Sequence, residues 1–217
     1  VLSSPALGSD GAIYFGTSGG RIYALRPTGS ERWEYLAAGS IQGSPALGND
    51  DTVYCGTLSG RLHALYSSGT LRWTWTGGGA ISTTPAVGAD GMIYVAGEDK
   101  VLTALQPDGS VRWQYKADGV FQASPVIGPD GTIFVASRDG RMHAVNPDGT
   151  RRWAASVNPV AEAAAAIGRG ATVCFGTTDN RFRVLSRDGT GVWDLATDSA
   201  PAVTPVIAAD GTLLTFT

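Results

Sequence analysis

The chain has 217 residues, of which 43% are hydrophobic and 16% are charged, and its formal net charge is −3. A chain of this length buries about 70% of the surface that it exposes when unfolded, so a substantial core is expected. The negative charge gives no electrostatic support to a nucleic-acid partner, which we exclude. No apolar run approaches the length of a membrane-spanning helix, so no membrane span is predicted.

A repeat of 40 residues runs along the chain, and its most regular mark is a tryptophan. The tryptophans are Trp33, Trp73, Trp113, Trp153 and Trp193. The repeats cover residues 4–43, 44–83, 84–123, 124–163 and 164–203, and a partial sixth covers 204–217. Such a period indicates a repeat architecture, in which each copy buries its faces against its neighbours. We therefore expect one domain over 1–217, and we expect this sequence to be a fragment of a longer chain.

Each repeat predicts four strands, here labelled a to d, of five or six residues. In the second repeat they are SPALG, TVYCGT, RLHAL and LRWTW, separated by short turns. Asp-Gly pairs such as Asp10-Gly11 and Asp90-Gly91 are strong signals for tight turns between paired strands. Four antiparallel strands per 40 residues are typical of a β-propeller blade. The predicted fold class is all-β, with five full four-stranded blades and a partial sixth.

Two patterns concern packing rather than chemistry. Small residues recur at fixed positions, such as Gly16 and Ala24, and predict the close approach of a bulky group, for which the repeated tryptophan is the candidate. The five tryptophans are therefore given a structural role. Cys55 and Cys174 occupy non-equivalent positions three repeats apart, so we expect two small buried side chains and no disulfide between them.

The segment A-L-x-P-D-G-x-x-x-W resembles the pyrroloquinoline-quinone-like propeller repeat. In that family an Ala, a turn Gly and a Trp form a tryptophan-docking motif that links neighbouring blades. The first match is Ala24, Gly29 and Trp33, and the fifth copy departs from the motif by having Val184 in the Ala position. The resemblance covers almost the whole chain. It implies a propeller fold and an extracytoplasmic location, periplasmic or secreted.

The resemblance also implies two functional classes. Quinone-dependent dehydrogenases hold their cofactor under a ring made by two adjacent cysteines, with calcium bound by Glu, Asn and Asp. Other members are non-enzymatic propellers that bind proteins, among them the lipoprotein scaffold of the outer-membrane barrel-assembly machinery. This chain has no adjacent cysteine pair, and its Asp residues lie mostly in Asp-Gly turns. We therefore expect no cofactor, no metal and no catalytic residue.

A scaffold that binds a protein or peptide is thus the first hypothesis. The propeller portion of a quinone-dependent dehydrogenase and a carbohydrate-binding propeller are the alternatives. Stacking on sugars needs exposed aromatic side chains, and Phe121 is the exception in loops that are otherwise poor in them. We also expect that an open terminal blade allows self-association.

The repeats differ from one another mainly on one predicted face. The a–b and c–d turns are nearly the same in each repeat, whereas the b–c turns and the d–a connections vary. Variation of one face over a fixed scaffold suggests a binding surface. The candidate binding residues are Gln42, Glu98, Asp99, Lys100, Gln122, Arg138, Asp139, Glu162, Asp179 and Asn180.

Two other recurring sets have simpler interpretations. His63 and His143 share one repeat position, which elsewhere holds Tyr, Thr or Arg, so we interpret it as a partly exposed strand position. The arginines that precede the tryptophans, such as Arg32 and Arg72, are interpreted as solvated positions whose stems cover apolar surface.

Overall fold

The computed structural model describes residues 3–157, 164–199, 204–207 and 212–214. These residues form 22 β-strands and one short 3-10 segment, Arg169–Ala171, and no α-helix occurs among them. The strands make five four-stranded sheets and one two-stranded sheet. The all-β prediction with four strands per repeat is therefore confirmed.

The sheets follow the chain, one for each repeat. The first contains β1 (Ala6–Leu7), β2 (Ile13–Gly16), β3 (Arg21–Leu25) and β4 (Glu31–Leu36). The second contains β5 (Ala46–Leu47), β6 (Val53–Gly56), β7 (Arg61–Leu65) and β8 (Leu71–Thr76). The third contains β9 (Ala86–Val87), β10 (Ile93–Ala96), β11 (Val101–Leu105) and β12 (Val111–Lys116).

The later sheets repeat this plan. The fourth contains β13 (Val126–Ile127), β14 (Ile133–Ser137), β15 (Arg141–Val145) and β16 (Arg151–Ser156). The fifth contains β17 (Ala166–Ile167), β18 (Val173–Thr177), β19 (Arg181–Leu185) and β20 (Gly191–Ala196), and the sixth pairs β21 (Val206–Ile207) with β22 (Leu213–Leu214). Within each sheet the strands lie in chain order. The first strand of each repeat has only two residues, shorter than the five expected.

The chain divides into two compact units, Val1–Arg112 and Trp113–Thr217, and the division falls within β12. In the first unit, one apolar cluster joins the first and second sheets through side chains such as Tyr14, Ile22 and Leu65. A second cluster, which includes Leu62 and Ile93, joins the second and third sheets. Neighbouring blades therefore share their core, as a repeat array requires.

The second unit has the same kind of core. Its largest cluster joins the fourth and fifth sheets through Phe134, Met142, Phe175 and Leu185. Strands that pack on both faces need apolar side chains at successive positions, and this is why β14 and β18 are buried along their whole length.

Asp-Gly turns close the a–b hairpins of the first, third and fourth repeats, as their chemistry predicts, and the second repeat has Asp51 in the glycine position with a φ of 57°. Asp10 Oδ1 accepts a hydrogen bond from the Ala12 N–H at 3.0 Å, and Gly11 has a φ of 78°. This left-handed conformation is one that glycine adopts without steric cost. The fifth repeat lacks the Asp-Gly pair and instead forms the 3-10 segment Arg169–Ala171.

Three of the arginines that precede the tryptophans are anchored by ion pairs, whereas Arg112 Nη1 lies 3.9 Å from Met92 Sδ. The pairing of β3 with β4 shifts by one residue after Ala24 and leaves Arg32 without a partner in register. Its Nη1 donates a hydrogen bond to Asp10 in the a–b turn at 2.5 Å. The equivalent pairs are Arg72 with Asp50 at 2.7 Å and Arg152 with Asp130 at 2.8 Å. These three arginines thus tie the outer strand to a turn of the same sheet rather than lying free in solvent.

Four tryptophans dock on the c–d turn of the following repeat. Trp33 Nε1 donates a hydrogen bond to the Ser67 carbonyl at 2.9 Å, and a Cβ on Gly69 would lie only 2.6 Å from the Trp33 ring. The same bond joins Trp73 to Pro107, Trp113 to Pro147 and Trp153 to Arg187, at 2.9, 2.9 and 2.8 Å. The indole needs a glycine opposite it because any side chain would occupy the space of the ring.

Two packing predictions were wrong in detail. The small residues at Gly16 and Gly56 make room for Ile41 and Ile81 rather than for a tryptophan, since a Cβ there would lie 2.3 Å from the isoleucine Cγ2 atoms. Phe121, which the sequence placed in an exposed loop, is fully buried. The Phe121 ring lies edge-on to the His143 imidazole, with ring centroids 6.0 Å apart, and its backbone forms a bridge to Ser137 of β14.

Candidate binding face

In repeats two, three and four, the b–c turn is hydrogen-bonded to the d–a connection that precedes it in the chain. The backbone N–H of the turn donates to a carbonyl of the connection. These bonds join Leu58 to Ser40, Glu98 to Ala80 and Arg138 to Val120, at 2.8, 2.9 and 2.9 Å. Turn and connection are therefore one continuous surface at each of these sites, although they belong to different repeats.

Asp99 reinforces this contact in the third repeat. Its Oδ2 accepts a hydrogen bond from the Gly78 N–H at 3.0 Å, and its Oδ1 accepts one from the Val101 N–H at 3.1 Å. Both carboxylate oxygens are thus occupied by backbone donors. The neighbouring side chains of Glu98 and Lys100 are exposed, and they are the groups of this turn that a partner can reach.

Asp139 is buried at the equivalent position of the fourth repeat. Its side chain is 8% exposed, and its Oδ2 lies 3.0 Å from Nε2 of His143. The other ring nitrogen of His143, Nδ1, lies 2.9 Å from the Tyr115 hydroxyl of β12. Burial lowers the pKa of His143, and the Asp139 carboxylate opposes that effect. The three side chains tie the b–c turn to the outer strand of the preceding repeat.

The prediction that the two histidines are partly exposed is wrong, because His63 and His143 are 4% and 3% exposed. His63 Nδ1 lies 3.2 Å from the Thr74 hydroxyl. Its Nε2 has no hydrogen-bond partner among the described residues, since Ser59 stands where the fourth repeat has Asp139. Burial lowers the pKa of His63. The two repeats thus share a buried imidazole and differ in its acidic partner.

The fifth repeat uses an arginine in the same place. Arg183 Nη2 donates to Asp179 Oδ2 at 2.6 Å, and its Nη1 donates to the Val157 carbonyl at 2.9 Å. Asp139 with His143 and Asp179 with Arg183 thus pair the second residue of the b–c turn with the third residue of strand c, whereas the third repeat has Asp99 and Thr103 at these positions. The four-residue spacing of these opposite types was visible in the sequence and is the signal that its interpretation missed.

The remaining candidate residues fall into four groups. Gln42 and Arg138 are exposed, and Gln122 is half-buried with no hydrogen-bond partner for its Oε1 among the described residues. Lys100 and Asn180 have φ values of 68° and 59°, at a position that holds glycine in the other repeats. Glu162 lies outside the described residues.

Three further observations concern metal binding, thiol reactivity and membrane spans. Nowhere in the described ranges do three His, Cys, Asp or Glu side chains come together as a metal site. Burial raises the pKa of Cys55 to about 12, so this thiol is not a nucleophile at neutral pH. In the part of the chain that is described, no helix has the length and apolar character to cross a membrane.

Comparison with known proteins identifies the family. A family model described as outer membrane protein assembly factor BamB matches the chain twice, over residues 18–128 and 106–216. The chain belongs to this family. The two matches overlap, and together they span nearly all of the repeats, so the predicted pyrroloquinoline-quinone-like propeller repeat is confirmed.

A solved structure supports the same fold. The crystal structure of BamB from Moraxella catarrhalis is similar, with a TM-score of 0.81 and 17% sequence identity. The alignment covers 99% of this chain and 72% of that chain. No curated protein matches the chain. The fold of this chain is therefore a BamB-like β-propeller. At 17% sequence identity, the structural similarity establishes the fold alone.

Proposed function

We propose that this chain is a non-enzymatic scaffold that binds a protein or peptide partner through its b–c turns and d–a connections. The carrying observation is the recurring backbone bond between turn and connection, which makes the two variable parts of the repeat one surface. The a–b and c–d turns stabilise the fold itself, since they bind the side chains of arginines and tryptophans. A surface that varies over such a scaffold is typical of binding in repeat proteins.

The chemistry of this surface suits a polar partner with charges of both signs. The carboxylates of Asp99, Asp139 and Asp179 hold the turns in place. The exposed side chains that project from the same turns include Glu98, Lys100 and Arg138. Charges at an exposed rim contribute mainly to the orientation and the rate of association. We therefore expect these charges to affect the specificity of binding more than its affinity.

Family membership supports a protein partner and an extracytoplasmic location. The matching family is described by an assembly factor for outer membrane proteins, and such a factor works on other proteins. We extend this class of partner to the present chain. A reporter that is active only outside the cytoplasm, fused to the protein in the cells that express it, tests the location. Activity equal to that of a cytoplasmic control would contradict it.

The binding face is tested by a charge exchange with a matched control. We expect the double variant Glu98→Lys/Arg138→Glu to lose discrete photo-crosslinks to partner proteins in the expressing cells, with the crosslinker placed at Gln42. The control Arg26→Glu/Glu31→Lys makes the same exchange of charge near a c–d turn and should keep them. Equal crosslinking by both variants, with both folded by circular dichroism, would refute the face.

The absence of catalysis is tested separately. We expect no dye-linked oxidation of alcohols or sugars after the protein is incubated with pyrroloquinoline quinone and Ca²⁺. Saturable oxidation that depends on both additives would favour the dehydrogenase alternative instead.

A further inference from the structure

Aromatic side chains fill the space between the outer strands of successive sheets. The fifth residue of β4, β8 and β12 is Tyr35, Trp75 and Tyr115, respectively. The ring centroids of Tyr35 and Tyr115 lie 5.6 and 5.7 Å from those of His63 and His143 in the sheet that follows. These tyrosines therefore pack against the third strand of the next sheet.

Trp75 shows how closely the ring at this position is packed. It contacts the apolar cluster of the second and third sheets, and Val95 and Val101 of the third sheet lie beside it. The gap left between these side chains has a volume of ≈ 0 Å³ for a water molecule. The ring is therefore part of the packing between sheets, and a small residue in its place leaves a hole unless the sheets move together.

The fourth sheet has no such ring, because the fifth residue of β16 is Ala155. A cavity of ≈ 790 Å³ lies there between the fourth and fifth sheets, and its lining includes Ala155, Leu185 and Val192. Gly191 also leaves space, since a Cβ on it would meet nothing within 4 Å among the described residues. Both sheets have all four of their strands, so the cavity is a property of their interface. Its volume lies in the range of about 300–1,000 Å³ that is typical of ligand sites.

The cavity combines apolar walls with a fixed positive charge. Leu185 and Val192 supply apolar surface, and Arg183 lines the same space. The Arg183 side chain is only 22% exposed, and its bonds to Val157 and Asp179 hold the guanidinium in place. A guanidinium only donates hydrogen bonds. A flat apolar ring that carries an oxygen acceptor therefore matches the chemistry of the cavity.

Tyr115 indicates where the oxygen of such a ring would lie. Its hydroxyl lies 2.9 Å from Nδ1 of His143. Arg183 occupies in the fifth sheet the position that His143 occupies in the fourth, since each is the third residue of its strand and pairs with the strand before it. A phenol placed as Tyr115 is placed would bring its oxygen to the Arg183 guanidinium. A tyrosine side chain has this shape and this acceptor, whereas phenylalanine has the shape alone.

We propose that the cavity between the fourth and fifth sheets binds a tyrosine side chain of the partner protein. This inference rests on the proposed function, since it names a side chain of that partner. The cavity adjoins the variable surface, because Arg183 in its lining is bonded to Asp179 of the b–c turn and to Val157, which follows β16. An aromatic side chain that enters a pocket is a typical anchor of a protein interface.

A titration with a tyrosine analogue tests the cavity itself. N-acetyl-L-tyrosinamide is added to protein with 13C-labelled methyl groups, and we expect saturable shifts of the Leu185 and Val192 signals at millimolar concentration. N-acetyl-L-phenylalaninamide, which lacks only the hydroxyl, should bind about tenfold more weakly because the hydrogen bond to a charged donor is lost. Arg183→Leu should make the two affinities equal.

A second variant fills the cavity. Ala155→Tyr introduces the residue that Tyr35 and Tyr115 supply in other sheets, and it should weaken binding of the tyrosine analogue at least about tenfold, because the space is then occupied. The control Val111→Tyr adds the same side chain at a position of β12 that is 45% exposed, and it should bind as the parent does. Circular dichroism verifies that both variants are folded.

Crosslinking in the expressing cells tests the source of the ring. A photo-crosslinker at Asp194, a half-exposed residue of the cavity lining, should capture a partner peptide that contains tyrosine, as identified by mass spectrometry. Ala155→Tyr should abolish this crosslink, and Val111→Tyr should keep it. A free phenolic compound as the natural ligand would give no such crosslink.

Three results would overturn the proposal. One is the absence of saturable binding of the tyrosine analogue to the folded parent. Another is binding that Ala155→Tyr leaves unchanged. The third is binding of the analogue without a partner crosslink at Asp194 that depends on Ala155. Failure of the proposed function is distinguishable, because crosslinks at Gln42 that survive the charge exchange refute the binding face, whereas the titration reports on the cavity alone.

Discussion

The docking of tryptophan on a glycine turn can be isolated with one pair of substitutions. Gly69→Ala places a methyl group 2.6 Å from Trp33, whereas Gly29→Ala places one where nothing lies within 4 Å among the described residues. The two glycines occupy the same position of the c–d turn, with φ values of 88° and 84°. Both variants therefore bear the same backbone strain, and only Gly69→Ala also disturbs the indole.

The expected magnitudes follow from this difference. A left-handed alanine costs about 1–2 kcal/mol in either variant. Gly69→Ala adds overpacking of about 1–3 kcal/mol, and displacement of Trp33 weakens its hydrogen bond to Ser67, which contributes about 1 kcal/mol. We expect the two variants to differ by about 2–3 kcal/mol, or roughly 30- to 150-fold in a local opening equilibrium.

The assay is hydrogen exchange of the Trp33 indole proton, followed by NMR. Repeat proteins often unfold in parts, so a local probe is more reliable than one global transition. Exchange should be much faster in Gly69→Ala than in Gly29→Ala, while urea unfolding reports the common strain. Equal exchange rates in the two variants would show that the close contact with Trp33 carries no energy, and the docking argument would fail.

Three other outcomes are expected. Trp153→Ala should lower the free energy of unfolding by about 2–3 kcal/mol, since a half-buried, hydrogen-bonded indole is lost. Trp193→Ala should change the free energy of unfolding by less than about 0.5 kcal/mol. Equal urea midpoints for the two variants would contradict this prediction. Ser59→Asp gives the buried His63 an acidic partner, so an NMR titration should show a raised pKa. Because burial lowers the folded pKa of His63, the parent loses stability as the pH falls below about 6.5, and this loss should be smaller in the variant; an unchanged titration would refute it. Cys55, with its pKa raised to about 12, should react with a disulfide reagent at pH 8 only after unfolding; rapid reaction of the folded protein would contradict its burial.

The repeat itself made most of the fold predictable. The spacing of Trp33 and Trp73, with a turn and a β-rich segment in each copy, leaves few architectures that bury all copies equally. Side-chain direction was harder to predict. Phe121 stands in a loop by sequence and is buried in the structure, because its environment is set by Ser137 of a strand that is distant along the chain.

The candidate face shows the same limit. Comparison of repeats indicated which turns vary, including the turn of Glu98 and Lys100. It did not show that Asp139 is held by His143 and Tyr115, because that pairing depends on how the preceding outer strand packs. The four-residue spacing of Asp139 and His143 was present in the sequence, but its meaning required a second strand.

What the sequence determined alone is the local and periodic part of this protein: the four strands per repeat, the Asp-Gly turns, and the glycine that recurs four residues before each tryptophan. These features depend on backbone preferences and on short-range sequence patterns, so they can be predicted from one repeat without knowledge of the adjacent repeats. The tertiary structure decided which atoms meet between repeats. It joined Trp33 to Gly69, buried His143 against Asp139, and left Trp193 uncovered, because contacts between sheets depend on packing that no single repeat contains.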